Sequence, residues 1–213
     1  MKRTTVLRKT GLAAAAVSLS FGLAACGEDE PTAAANEPTS EDTPMDEEET
    51  PMEEGPEAQT YGDACGEVPT EGDGSFDGMA TAPVASAASA NPLLSTLVTA
   101  VGAAQLVEPL NSAEALTVFA PANPAFEAFT KKQLNGLLKD TETLGAVLTH
   151  HVVPEQISPD QLTGEFETLA GDTITINGSG EDATIGDEKA TVLCGNIPTA
   201  NATVYVIDTV MMP

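Results

Sequence analysis

The stretch Thr117-Val118-Phe119-Ala120-Pro121-Ala122-Asn123-Pro124-Ala125-Phe126 decides how this chain is read. Residues 116–120 form a compact apolar run that ends at Pro121, which fits a short buried strand better than a helix. Asn123 and Pro124 then restart a helix that carries Phe126 and Phe129. Upstream, Asn91-Pro92 caps and starts a helix whose Leu93, Leu94, Leu97, Val98 and Val101 recur at helical spacing, and residues 106–110 add a short helical turn. Downstream, Leu134, Leu137, Leu138, Leu144, Val147 and Leu148 continue that spacing, with a break near Asp140.

Beyond this point the periodicity changes from helix to strand. Residues 173–177 alternate, with Ile174 and Ile176 on one face, and Asn177-Gly178 predicts a hairpin turn. Residues 190–193 and 203–210 read as further strands. Helices first and strands afterwards predict an α+β domain rather than a doubly wound parallel sheet. The region from Tyr61 to the end, about 150 residues, is long enough for one domain with its own core.

The composition ahead of Tyr61 is different. Residues 27 to 60 hold 13 carboxylates, no basic residue, and Met45 and Met52 as the only large apolar side chains. Such a segment cannot bury a core, so a disordered acidic linker is expected over residues 26–60. Its near-repeat, Thr43-Pro44-Met45-Asp46-Glu47-Glu48 and then Thr50-Pro51-Met52-Glu53-Glu54, is low complexity rather than a structural unit. Proline and self-repulsion extend it, to on the order of 110 Å at full stretch. Neither its carboxylates nor its methionines have metal-ligand spacing.

The first 25 residues read as a leader. Lys2, Arg3, Arg8 and Lys9 precede an apolar segment of about 15 residues, short of the roughly 20 needed to cross a membrane. Leu23-Ala24-Ala25-Cys26 resembles the lipobox of bacterial lipoproteins. That resemblance implies removal of residues 1–25, a diacylglyceryl group on the Cys26 sulfur and a membrane anchor on the outer face of the cell; two or three acyl chains, such as palmitate, hold stably where one does not. Of the other cysteines, Cys65 and Cys194 form an even pair in an exported chain, and a disulfide is expected, the alternative being two buried thiols.

Without the leader, four lysines face 33 carboxylates, a formal charge of -29 with no arginine. Such a chain repels phosphate backbones, which excludes nucleic acid as a partner.

Three ordered segments carry a family resemblance. The opening stretch resembles the first signature of fasciclin domains, His150-His151-Val152-Val153 is similar to their central Tyr-His segment, and residues 202–213 resemble the closing segment. Together they cover about residues 80–213. Cys65, Cys194 and Asn201-Ala202-Thr203 are also similar in position to those of mycobacterial secreted and lipid-anchored fasciclin antigens. The resemblance implies helices packed around a wedge of strands and gives mainly structural roles to Thr117, Phe119, Pro121, Asn123, Phe126, His151 and Asp208. It implies that the His151 ring bonds inside the domain near the first signature, and Asn123 suits a cap or turn. His150 departs from the family pattern, standing where the segment has the tyrosine associated with integrin binding in some animal relatives.

No enzyme motif accompanies these features. His150 and His151, read as neighbours in an extended segment, point to opposite faces and do not share a metal. With the thiols paired, zinc lacks ligands. Gly178-Ser179-Gly180 is a turn after a strand rather than a nucleophile elbow, and no phosphate-cradling glycine loop precedes a helix. No cofactor is implied. The expected protein is a surface lipoprotein displaying an adhesion or interaction domain toward an extracellular protein or matrix partner. The alternative is a groove for a cell-envelope lipid or glycolipid.

Overall fold

The computed structural model describes residues 55–213. The leader, Cys26 and the acidic segment through Glu54 lie outside the described residues. Packed structure begins earlier than the Tyr61 boundary expected from composition. Pro56–Gln59 forms a 3-10 turn, and the Gln59 carbonyl accepts from Asn196 Nδ2 at 2.9 Å.

Among the described residues, six α-helices and seven strands follow. The helices are α1 (Phe76–Thr81), α2 (Val84–Ala90), α3 (Ser95–Ala103), α4 (Val107–Ser112), α5 (Lys131–Leu137) and α6 (Thr141–His150). The strands are β1 (Leu116–Pro121), β2 (Val152–Val153), β3 (Gly164–Glu167), β4 (Thr173–Asn177), β5 (Thr184–Ile185), β6 (Ala190–Pro198) and β7 (Ala202–Ile207). They form one sheet in the order β2-β1-β7-β6-β5-β4-β3, antiparallel except for the β1–β7 pair. This is the α+β architecture expected, with one early strand, β1, set among the helices.

The strand period of two distributes side chains between two cores. Leu116, Val118 and Ala120 of β1, with Ala202, Val204 and Val206 of β7, face the helical core. Phe119, Tyr205 and Ile207 face the second core, with Ile174, Ile176, Ile185 and Met211. In β6 the alternation breaks: Val192 lies in the second core and Cys194, two residues on, in the first. Register shifts on both sides of Cys194 turn the strand over, as a bulge does. Asn196, at φ 58°, sits within the second shift.

Local chemistry sets the helix ends. The break near Asp140 is the N-cap of α6, where the carboxylate accepts from Thr143 N at 3.2 Å and holds its own proton affinity below the usual range. Thr130 and Gln133 close a capping box on α5. The sequence reading also differs from the structure in local detail, and the helix expected from Asn123 is a 3-10 turn over Asn123–Ala128. The hairpin expected at Asn177-Gly178 is present between β4 and β5, but its connection is six residues long and contains a 3-10 turn, because β5 starts only at Thr184. His150 and His151 do not lie in an extended segment: α6 runs through His150, and His151 is its C-cap. The buried stripe of Leu144, Val147 and Leu148 carries helix to that point before β2 begins.

Candidate functional site

Disulfide Cys65–Cys194 joins two segments 129 residues apart in sequence and holds the N-terminal turns against β6. An antiparallel bridge between Tyr61 and Gly195 reinforces the clasp. A Cβ at Gly195 would lie 2.5 Å from the Tyr61 ring, so the residue there has to be glycine for the ring to lie flat. Burial, with the Glu181 carboxylate adding to it, raises the Tyr61 phenol to about 12.

The signature residues are tie points. Thr117 Oγ1 donates to the Glu155 carbonyl (2.7 Å) and accepts from Ile157 N (2.9 Å), which fixes the chain leaving β2. Phe119 stacks on Tyr205 at 5.8 Å between centroids, and the Tyr205 hydroxyl donates to the Ile157 carbonyl at 2.9 Å. Pro121 ends β1 in a buried position, and Ala122 N bonds the Ile207 carbonyl just beyond it. Phe126 is buried among the helices. Asn123 caps a helix, but not the turn it opens. Its Oδ1 accepts from Thr96 N (2.9 Å) and Ser95 Oγ (3.1 Å) at the start of α3, and its Nδ2 donates to the Pro92 carbonyl (2.8 Å). Because α3 has no cap of its own, Asn123 satisfies its free donors from across the fold. Asp208 accepts from Thr191 N and Oγ1 at 2.9 and 2.8 Å, tying the end of β7 to β6.

The two histidines do different work. His151 is fully buried, with Nδ1 2.7 Å from the Val147 carbonyl and Nε2 2.9 Å from Met211 N. A backbone N–H can only donate, so Nε2 is unprotonated and Nδ1 carries the hydrogen. Burial pushes the ring down to about 4, opposed by the Val147 bond and assisted by His150. Its ring therefore anchors the C-terminal tail, while its carbonyl receives the Phe119 amide of the first signature at 2.9 Å. His150 Nδ1 lies 2.7 Å from Asp172 Oδ2, and Thr168 bonds the other carboxylate oxygen. Burial pushes the Asp172 carboxyl up, but the bonds from Thr168 and His150 outweigh it and hold the group below the usual carboxylate range. This pair joins the end of α6 to the β3–β4 turn. The rings of His150 and His151 meet edge to face, 6.2 Å apart.

Sequence reasoning missed the role of Asn201. Its Oδ1 accepts from Val84 N (2.9 Å) at the start of α2, and its Nδ2 donates to the Leu110 and Ala113 carbonyls (2.9 and 2.8 Å) at the end of α4. One amide thus closes two helix termini from the β6–β7 turn. The asparagine before a strand gives only a turn signal, since its helical partners are about 90 to 120 residues away. Among the described residues, no group of three or more His, Cys, Asp or Glu is placed to hold a metal ion, and no hydroxyl or thiol bonds the second nitrogen of His150.

Residues 92–213 match the fasciclin domain family, and the chain belongs to it. It is 38% identical over 207 residues to the cell surface glycolipoprotein MPB83 of Mycobacterium bovis, covering 93% of this chain and 92% of that one. It is 43% identical over 147 residues to the immunogenic protein MPB70 of the same species, covering 67% and 75%. A solved FAS1 domain pair from the insect cell adhesion molecule Fasciclin I aligns with 56% of this chain and 45% of its own, at 21% identity and TM-score 0.48.

Proposed function

We propose that this protein is a cell-surface lipoprotein whose fasciclin domain mediates adhesion to, or interaction with, an extracellular protein or matrix partner. Cys26 is the anchor, residues 27 to about 54 the spacer, and the domain the binding element. One observation carries the reading: the match to a cell surface glycolipoprotein spans 93% of the chain, far beyond the domain itself. The geometry agrees in kind, because the signature side chains are engaged with other groups inside the fold and leave recognition to the surface. Copies anchored side by side raise the strength of weak single contacts through avidity.

The lipid-groove alternative draws less support. The apolar cleft between α2, α3 and α4, lined by Val84, Leu97, Val101 and Leu110, holds only about 40 Å³, too little for an acyl chain, and the larger clefts of about 590 and 350 Å³ beside α5 mix apolar side chains with Asn123, Glu127, Lys131, Gln133 and Asp140.

Two measurements test the proposal. Mass analysis of the amino terminus is expected to find a diacylglyceryl-modified Cys26 as the first residue; an unmodified terminus elsewhere refutes the anchor. Cells displaying the chain are expected to bind immobilised extracellular-matrix proteins, and loss of that binding on deletion of residues 92–213 assigns it to the domain. Equal binding with and without the domain refutes the adhesion reading.

A further inference from the structure

Helix α5 is the surface feature that the signature does not explain. None of its residues is buried, whereas α3 and α6 bury Leu97 and Ala100, and Leu144, Val147 and Leu148. At 3.6 residues per turn, Lys131 and Leu134 lie on one flank and Gln133, Gly136 and Leu137 on the other. Each flank borders a cleft. One, of about 590 Å³, runs toward α3 and Asn123; the other, of about 350 Å³, runs toward Thr143 and Met212. Phe129, half-buried, is common to both. Leu134 and Leu137 line them from the helix itself.

Charge singles out the same ridge. Residues 55–213 carry 21 carboxylates and four lysines, and three of those lysines, Lys131, Lys132 and Lys139, lie on or just past α5. All three are exposed, and none has a carboxylate within 4.0 Å among the described residues, where the one such pair is His150–Asp172. Glu127, Asp140 and Glu142 are nearby, but Asp140 is engaged in capping α6. Lys131 and Lys132 stand in a first helical turn that has no acidic residue, so they do not stabilise the helix they open.

We infer that the α5 ridge is the contact face of the domain and takes an acidic polypeptide segment of a protein partner, with carboxylates on the three lysines and apolar side chains in the two clefts. This rests on the adhesion reading above and names its surface and the chemistry of its partner. Lys131 and Lys132 open the helix and Lys139 lies two residues past its end, so the three charges stand at both ends of a helix about 10 Å long rather than at one point. An anionic bilayer would also face the whole carboxylate surplus of the chain, which a slender segment does not. The clefts flank a helix about 10 Å across, and in a polyproline-like segment three residues advance about 9 Å and return to the same face. Two apolar anchors three residues apart, set among carboxylates, therefore match the ridge.

The test titrates the full chain with a synthetic peptide holding leucine and phenylalanine three residues apart among glutamates, read by backbone amide NMR. Shift changes concentrated on residues 129–139 and on Thr143 and Met212 are expected. Binding should weaken about ten-fold or more in a Lys131→Gln, Lys132→Gln, Lys139→Gln variant, and should vanish for a peptide with lysines replacing glutamates. Unchanged binding by the variant, or shifts elsewhere, overturns the assignment. So does lysine-dependent binding to phosphatidylglycerol vesicles without peptide binding, which would make the ridge a membrane contact. Lysine-dependent self-association without peptide binding overturns it in favour of a second copy. Matrix adhesion that persists in the triple variant but is lost with residues 92–213 sinks the ridge and leaves the adhesion reading standing.

Discussion

Acidification is a sharp probe of this fold, because it acts on the fully buried ring of His151. His151 is neutral in the folded protein and held down to about 4, against 6.5 when exposed. The unfolded chain therefore binds the proton more readily than the folded one. The stability contributed by the neutral ring is fully present above pH 6.5 and is lost as pH falls from 6.5 through 4. Each pK unit corresponds to 1.36 kcal/mol, so the full difference is on the order of 3 kcal/mol, and about 2 kcal/mol of it disappears between pH 7.5 and pH 5. That interval lies above the range where most carboxylates titrate, which separates the ring from the acidic background.

The expected readout is a denaturant midpoint that falls between pH 7.5 and 5 at constant slope, first around the C-terminal tail, where protonation removes the acceptor for the Met211 amide. Amide exchange at Met211 should accelerate in the same window. A His150→Gln background removes the neighbouring ring from the measurement. In that background, replacing His151 by Gln should lower stability at pH 7.5 and flatten the dependence over this interval. A His151 ring that titrates near 6.5, or that carries its hydrogen on Nε2 at neutral pH, refutes the reasoning, and so does a pH dependence unaltered by the replacement.

Three further outcomes follow from the geometry. Replacing Cys194 by Ser opens a link between residues 129 apart, and the loop-closure relation gives an upper loss of about 5 kcal/mol, read as a denaturant midpoint with and without reductant. Asn201→Ala removes three bonds to the ends of α2 and α4 and should lower stability by about 2 to 3 kcal/mol, with faster amide exchange at Val84; a loss under 0.5 kcal/mol contradicts its role. Gly195→Ala puts a methyl against the Tyr61 ring and should cost about 1 to 3 kcal/mol, recovered in part by Tyr61→Ala, which a double-mutant cycle detects.

Local periodicity made much of this fold legible. The all-buried run of β1, the alternation of Ile174 and Ile176 in β4, and the Asp140 break between α5 and α6 each rest on neighbours in sequence. What stayed hidden depends on distant partners. Helices α1 and α2, with Met79 and Ala87 buried, come from an alanine- and glycine-rich stretch with little apolar contrast. The face switch at Cys194 comes from a register shift set by β7, not by β6's own pattern. Asn123 was readable as a cap from its residue type, but the helix it caps begins 28 residues earlier. The cysteine pair was legible from compartment and count, whereas the clefts beside α5 exist only once the 3-10 turn at Asn123–Ala128, α6 and the C-terminal tail converge.

The same distinction indicates where recognition belongs. Thr117, Asn123, His151 and Asp208 each use their polar atoms on backbone or side chains of this chain, so replacing them changes stability before it changes contact with another molecule. Residues that set specificity should instead be exposed, have no partner in the free protein and be dispensable to the fold. Lys131, Lys132 and Lys139 are exposed and have no carboxylate within 4.0 Å among the described residues, on or just past a helix with no buried residue. A family signature made of internal ties thus marks the scaffold, and the binding face is to be sought where exposed charge has no partner among the described residues and apolar side chains such as Phe129, Leu134 and Leu137 are only partly covered by the core.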